Sequence, residues 1–286
     1  MKKSFIYLIS TLLVAGLVSC NKDIPVAENP ETGEEIILNV QDETTFNAEL
    51  DTKTTAISAV PSSLYWGAST GSAGSETSKY ACASASVSSS KIATGKYQTA
   101  SATAYNYYVA NQTFSIATAA TTMTVANNNT DIIAGRTGGD NSTTPSVTLG
   151  HIFARTGSFS ISSNQGYTVS NAAWKIVGKS DINGTAGTYN LTTGAWTAAS
   201  TKLSSETTVT SSSDMYLIPG TYTIKCTYTL TKGDYTNSFT SSQDVTLVGG
   251  KINNITATVS KNPASGITIT VSLTAWSDNA VSITYS

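Results

Sequence analysis

The chain has one histidine, three cysteines and two arginines in 286 residues, and only 12% of its residues are charged. Each scarcity excludes a class of function. Any Ser-His-Asp or Cys-His arrangement would have to use His151. That residue lies in a strand-like apolar run, where a structural histidine is expected. No pair of His or Cys has metal-ligand spacing, and no cofactor or metal site is expected. Asp181-Ile182-Asn183-Gly184 has the start of a calcium loop but lacks its further ligands and distal Glu, so it reads as a turn. A net charge of −2 supplies no basic surface for nucleic acid. Acids such as Glu76, Asp131, Asp140 and Asp244 fall mostly at turns, and nothing marks a glycosidase pair. Cys82 and Cys226 are too far apart in sequence for a stapled mini-scaffold, and whether they pair is left open. The residues carry no enzyme signature.

Helix formers are also scarce beyond the first fifty residues. What is abundant is Ser, Thr, Ala, Asn and Gly, mixed with Val, Ile and Tyr, a composition that favours strands and polar turns. Tyr222, Ile224, Cys226, Tyr228 and Leu230 alternate with Thr223, Lys225, Thr227 and Thr229, the period of a half-buried strand. Ile267, Ile269, Val271, Leu273 and Ala275 repeat it before Trp276 and the turn Ser277-Asp278-Asn279. Val281, Ile283 and Tyr285 then repeat it once more in the final residues. Short strands punctuated by turns predict an all-β sandwich or barrel. The break at Gly138–Ser142 and Thr143-Thr144-Pro145 divides the chain into 36–145 and 146–286. Ile36–Val40 is the first strand candidate, and Tyr167–Val169, Ala172–Val177 and Val147–Arg155 are among the later ones. Aromatics at strand positions (Trp66, Tyr105, Tyr107, Tyr108, Trp174, Trp196) are core or cross-strand pairs, with a sugar-stacking platform as the alternative.

The N-terminus carries the sharpest signal. Lys2 and Lys3 precede an apolar run, Phe5–Leu17, that is too short to span a bilayer as a permanent helix. The run ends in Leu17-Val18-Ser19-Cys20, which resembles the lipobox of bacterial lipoproteins. Residues 1–19 are then a signal peptide and Cys20 the lipidated first residue, with an ordinary signal peptide as the plainer reading. Acyl chains would hold it by about 0.8 kcal/mol per buried CH₂. Residues 20–35, with two prolines and five carboxylates, read as a solvated tether.

Four stretches resemble the fimbrillin family of Bacteroidetes type V pili: Val147–Arg155, Leu217-Ile218-Pro219-Gly220-Thr221-Tyr222, Leu247–Ile255 and Val271–Trp276. Tyr105–Asn111 and Asp131–Gly135 resemble it too, and with the lipobox the likeness covers nearly the whole chain. The resemblance implies two transthyretin-like or Ig-like β-sandwich domains on a surface lipoprotein of the outer membrane. It also implies removal of a lipidated N-terminal segment with its first strand. A strand from another subunit's C-terminus would fill the vacated groove and build a fimbrium that serves cell adhesion. Mapped here, the removable strand is Ile36–Val40 and the candidate cut lies between Lys53 and Thr54. The candidate donor face is Val281, Ile283 and Tyr285. Arg136 and Arg155 both lie beyond the leader, so an arginine-specific cut there is excluded. The implied partners are other fimbrial subunits, outer-membrane lipid through Cys20 before processing, and a host or bacterial surface receptor. A monomeric surface lipoprotein that binds a glycan or host protein is the alternative.

Overall fold

The computed structural model describes residues 34–42, 60–72, 75–98, 103–118, 120–126, 130–210, 214–259 and 267–275. Every regular element among them is a β-strand. In order these are β1 (Glu34–Asp42), β2 (Ser63–Thr70), β3 (Thr77–Ser88), β4 (Lys91–Gln98), β5 (Tyr105–Ala110), β6 (Ser115–Ile116), β7 (Thr121–Val125), β8 (Ile133–Asp140) and β9 (Ser146–His151). There follow β10 (Ala154–Ser163), β11 (Thr168–Gly178), β12 (Gly184–Asn190), β13 (Ala195–Lys202), β14 (Thr207–Val209), β15 (Tyr216–Leu217), β16 (Gly220–Lys232), β17 (Tyr235–Leu247), β18 (Lys251–Val259) and β19 (Ile267–Ala275).

The first half closes into a barrel in the order β1-β4-β3-β2-β5-β8-β9, with β9 returning to pair with β1. Alternate residues of each strand face inward, so Leu64 and Trp66, Tyr105 and Tyr107, and Val147 and Leu149 meet in one core. In the second half, sheet β15-β10-β18-β19 packs over sheet β14-β11-β16-β17. Between them lie Phe159, Trp174, Ile176, Ile255 and the inward face of β16 that the alternation predicts. Among the described residues two pairings are parallel, β1 with β9 inside the barrel and β10 with β18 in the second half.

A third sheet, β13-β12-β7-β6, draws two strands from each half. Beneath it Tyr108, Phe114, Met123, Ile152, Phe153 and Ile218 form a separate core that joins the halves. The expected division at 145/146 falls immediately before β9, which completes the first barrel.

Three features depart from the sequence reading. Val147–Arg155 is two strands, broken at Ile152-Phe153 where the chain leaves the barrel for the second half; both side chains bury in the joint core. Conversely, the stretches at Tyr167–Val169 and Ala172–Val177 belong to one strand, β11. A bulge between Ser170 and Ala173, with Asn171 at φ 52°, shifts the register and hides the continuity. Lastly, β4, β8 and β13 carry too weak an alternation to be anticipated.

Candidate functional site

The element with the most unusual setting is β1. Its antiparallel neighbour is β4, with Leu38 opposite Ile92 and Ile37 opposite Ala93, and its parallel neighbour is β9, with Val40 beside Val147. Ile36, Leu38 and Val40 are fully buried, and together their burial contributes roughly 5–9 kcal/mol. Both backbone edges are satisfied. Ile37 and Asn39 donate their N–H to Thr143 and Pro145 carbonyls at 2.8 Å, and Val40 donates to Ser90 at 2.9 Å. Side chains fasten the ends: the Thr94 hydroxyl donates to the Ile36 carbonyl at 2.7 Å, and Gly95 N–H donates to Glu35 at 3.0 Å. Sequence positions 43–59, which follow β1, lie outside the described residues; among the described residues β1 meets the barrel through this pairing and packing. Taking it away would leave a groove open along both β4 and β9.

A second feature ties the two halves together. Glu76 is completely buried and its carboxylate accepts three hydroxyls: Tyr108 at 2.5 Å, Thr121 at 2.7 Å and Thr192 at 2.7 Å. Tyr108 and Thr121 come from the first half and Thr192 from the second. Burial pushes the carboxyl pKa up, but the three hydroxyls and the charge of Arg136 outweigh it and hold the group below its ordinary value. Spacing gave no sign of this cluster, because its members are joined by the fold and not by sequence.

The candidate residues fare as follows. Cys20, Lys53 and Thr54, and the donor face Val281, Ile283 and Tyr285, all lie outside the described residues. The neighbouring strand β19 pairs antiparallel with β18 along its whole length and stands at the edge of its sheet. His151 is mostly buried, its Nδ1 2.8 Å from Asp131, and this pair fixes the end of β9. Cys82 and Cys226 are both free thiols, and burial pushes Cys226 up to about 12. Asp181 and Ile182 form the anticipated turn. Asn183 organises it by accepting the Lys179 and Ser180 N–H groups at 2.9 and 2.8 Å. The aromatic platform is not formed. Trp66, Tyr105, Tyr107, Tyr108 and Trp174 are core residues, and Trp196 packs on Phe153 with ring centroids 5.0 Å apart.

The stretches that carry the resemblance turn out to hold the frame. In Leu217–Tyr222, the Tyr222 hydroxyl donates to the Ile218 carbonyl at 2.7 Å. In Leu247–Ile255, buried Asn253 stitches the turn by accepting Val248 N–H at 2.9 Å and donating to the Lys251 carbonyl at 3.0 Å. Asn254 accepts the Ser158 N–H of the adjoining strand at 3.0 Å.

The chain is similar to two solved structures, one of them with a TM-score above 0.5. One, from Parabacteroides distasonis ATCC 8503, is a protein assigned provisionally to cell adhesion; it is 11% identical with a TM-score of 0.55, and the match covers 86% of this chain and 97% of that one. The other, from Bacteroides eggerthii DSM 20697 and assigned in the same way, is 15% identical with a TM-score of 0.46 and the same coverages. No protein of curated function matches the chain. The sequence model of fimbrillin-like proteins matches residues 68–276, which span both halves and the sheet that joins them. The chain belongs to the fimbrillin-like family.

Proposed function

We propose that this protein is a stalk or tip subunit of a type V-like fimbria on the cell surface, with a role in adhesion. It is exported as a lipoprotein acylated at Cys20, a cut between Lys53 and Thr54 releases β1, and a strand from another subunit takes the empty seat. The observation that carries the reading is the setting of β1. It occupies an interior position of the barrel, yet it is the first strand and precedes the candidate cut. Family membership supports a fimbrial role, and the similar structure from Parabacteroides distasonis, assigned provisionally to adhesion, agrees with it.

The physics of exchange is strand addition. Backbone hydrogen bonds to β4 and β9 are available to any extended segment, and the pockets of Ile36, Leu38 and Val40 select apolar residues at alternate positions. Val281, Ile283 and Tyr285 have that alternation. They supply three inward side chains, against the three buried side chains of β1. The expected domains, 36–145 and 146–286, act in this reading as two sandwich domains held as one unit by their shared sheet, with β9 at the start of the second closing the barrel of the first. The protein is a structural subunit and not an enzyme.

The test is a chain lacking Asp278–Ser286. It is expected to purify as a folded monomer and to be left out of heat-resistant oligomers. If the truncated protein instead unfolds, these residues complete their own sandwich and the donor assignment fails.

A further inference from the structure

The barrel has a seam. β3 and β4 pair only at Val87↔Ile92 and Ser88↔Lys91, beside the turn at Ser89-Ser90. Beyond those residues β3 runs back to Thr77 and β4 runs on to Gln98 with no pairing between them. A cleft of about 970 Å³ opens along the seam. Two strand edges therefore face a gap, which is the arrangement that invites another strand.

The directions of the backbone groups follow from the ladders. Val87 N–H donates to the Ser62 carbonyl at 2.8 Å, towards β2, so alternation turns the N–H and C=O of Ser86 and Ser84 into the cleft. On the other wall, Ile92 pairs with Leu38, which turns Ala93 towards the cleft. Exposed Ala81, Ala83, Ser84 and Ser86 keep the β3 edge free of bulky side chains. Trp66 and Tyr80, with ring centroids 5.8 Å apart, line the cleft.

Among the described residues its charge has one sign: Lys79, Lys91 and Lys96 line the cleft and no carboxylate does. Lys79 and Lys96 sit over the Tyr80 ring, at 5.5 and 5.9 Å from its centroid. Glu35, across β4 on β1, accepts the Gly95 N–H and serves that strand.

We infer that this seam is a second peptide-binding site, which accepts an extended acidic segment of a partner protein as an added strand on β3. Backbone pairing to Ser84 and Ser86 supplies the register, and alternate carboxylates meet Lys79, Lys91 and Lys96. Apolar residues between them rest on the partly exposed Tyr80 ring. Unpaired backbone groups repeating every second residue favour a peptide over a saccharide. The seat of β1 stays filled throughout, so this site does not depend on strand exchange.

The test uses the purified protein and a dye-labelled octapeptide of alternating valine and glutamate, followed by fluorescence anisotropy at low salt. A valine–lysine octapeptide and trigalacturonate serve as comparisons. Ser84→Pro removes an N–H that faces the cleft while leaving the β2 ladder intact, and should weaken the glutamate peptide about tenfold or more. The double variant Lys79→Glu, Lys96→Glu changes only side chains at the cleft surface. It should weaken the same peptide about tenfold and raise affinity for the lysine peptide. If Ser84→Pro does not fold, the lysine pair decides alone. Absence of glutamate-peptide binding, or equal binding by wild type and the lysine double variant, overturns the proposal. So does tighter binding of trigalacturonate that Ser84→Pro leaves unchanged, which would make the cleft a saccharide site.

Discussion

Glu76→Ala should be among the most destabilising single changes at the junction of the halves. The substitution removes a buried carboxylate and leaves the hydroxyls of Tyr108, Thr121 and Thr192 without their acceptor. Each buried polar group stripped of its partner costs about 1–3 kcal/mol, and Tyr108 and Thr192 can partly compensate through their own 3.3 Å contact. The expected loss is therefore roughly 3–5 kcal/mol, measured by urea denaturation at neutral pH. Glu76→Gln keeps the shape and removes the charge, so its loss should be smaller, about 1–3 kcal/mol. The two variants also differ from wild type in acid. The folded-state pKa of Glu76 is lowered, so its contribution is fully present above the ordinary carboxyl value of 4.5 and fades as pH falls through the folded value. Wild type should lose more stability than Glu76→Gln on passing below that value. A Glu76→Ala loss under about 1 kcal/mol, or parallel acid profiles for wild type and Glu76→Gln, would refute the account of the junction.

Two further expectations are independent of this one. Gly135→Ala on β8 would place a methyl carbon 1.9 Å from the Thr148 carbonyl oxygen of β9, so the strands must separate; a loss of about 1–3 kcal/mol is expected by chemical denaturation, and a neutral result would contradict the packing. In thiol labelling of the native protein, half-buried Cys82 should react slowly and Cys226 only on unfolding, because Cys226 is fully buried and its thiol is pushed up to about 12. Peptide mapping that finds Cys226 labelled in the native protein would contradict the core of the second half.

The all-β class, β16 and β19 are legible in the sequence because both strands alternate apolar with polar, mostly hydroxyl, residues, and β1 is legible as the short apolar run Ile36-Ile37-Leu38 with Val40. β8 is not. Gly138 and Gly139 read as a loop although both lie in β8, and Gly135 on the same strand is required by the close approach of β9. β4 is hidden for a different reason. Its hairpin turn uses Ser89 and Ser90 at φ 50° and 58°, a conformation that Asn or Gly usually announces. The removable-strand candidate could be read from Ile36–Val40, but not its parallel pairing with β9, since register across more than a hundred residues leaves no local trace. Glu76 was hidden for the same reason: its partners Tyr108, Thr121 and Thr192 come together only when the halves share a sheet. The cleft between β3 and β4 is a property of what fails to pair, and no periodicity reports that.

The central claim is that β1 is a strand the mature subunit gives up. N-terminal sequencing of the protein displayed on cells tests it most directly. A start at Thr54, with residues 34–42 absent from assembled material, is the predicted result. A blocked N-terminus at Cys20, with β1 retained in assembled oligomers, would contradict it.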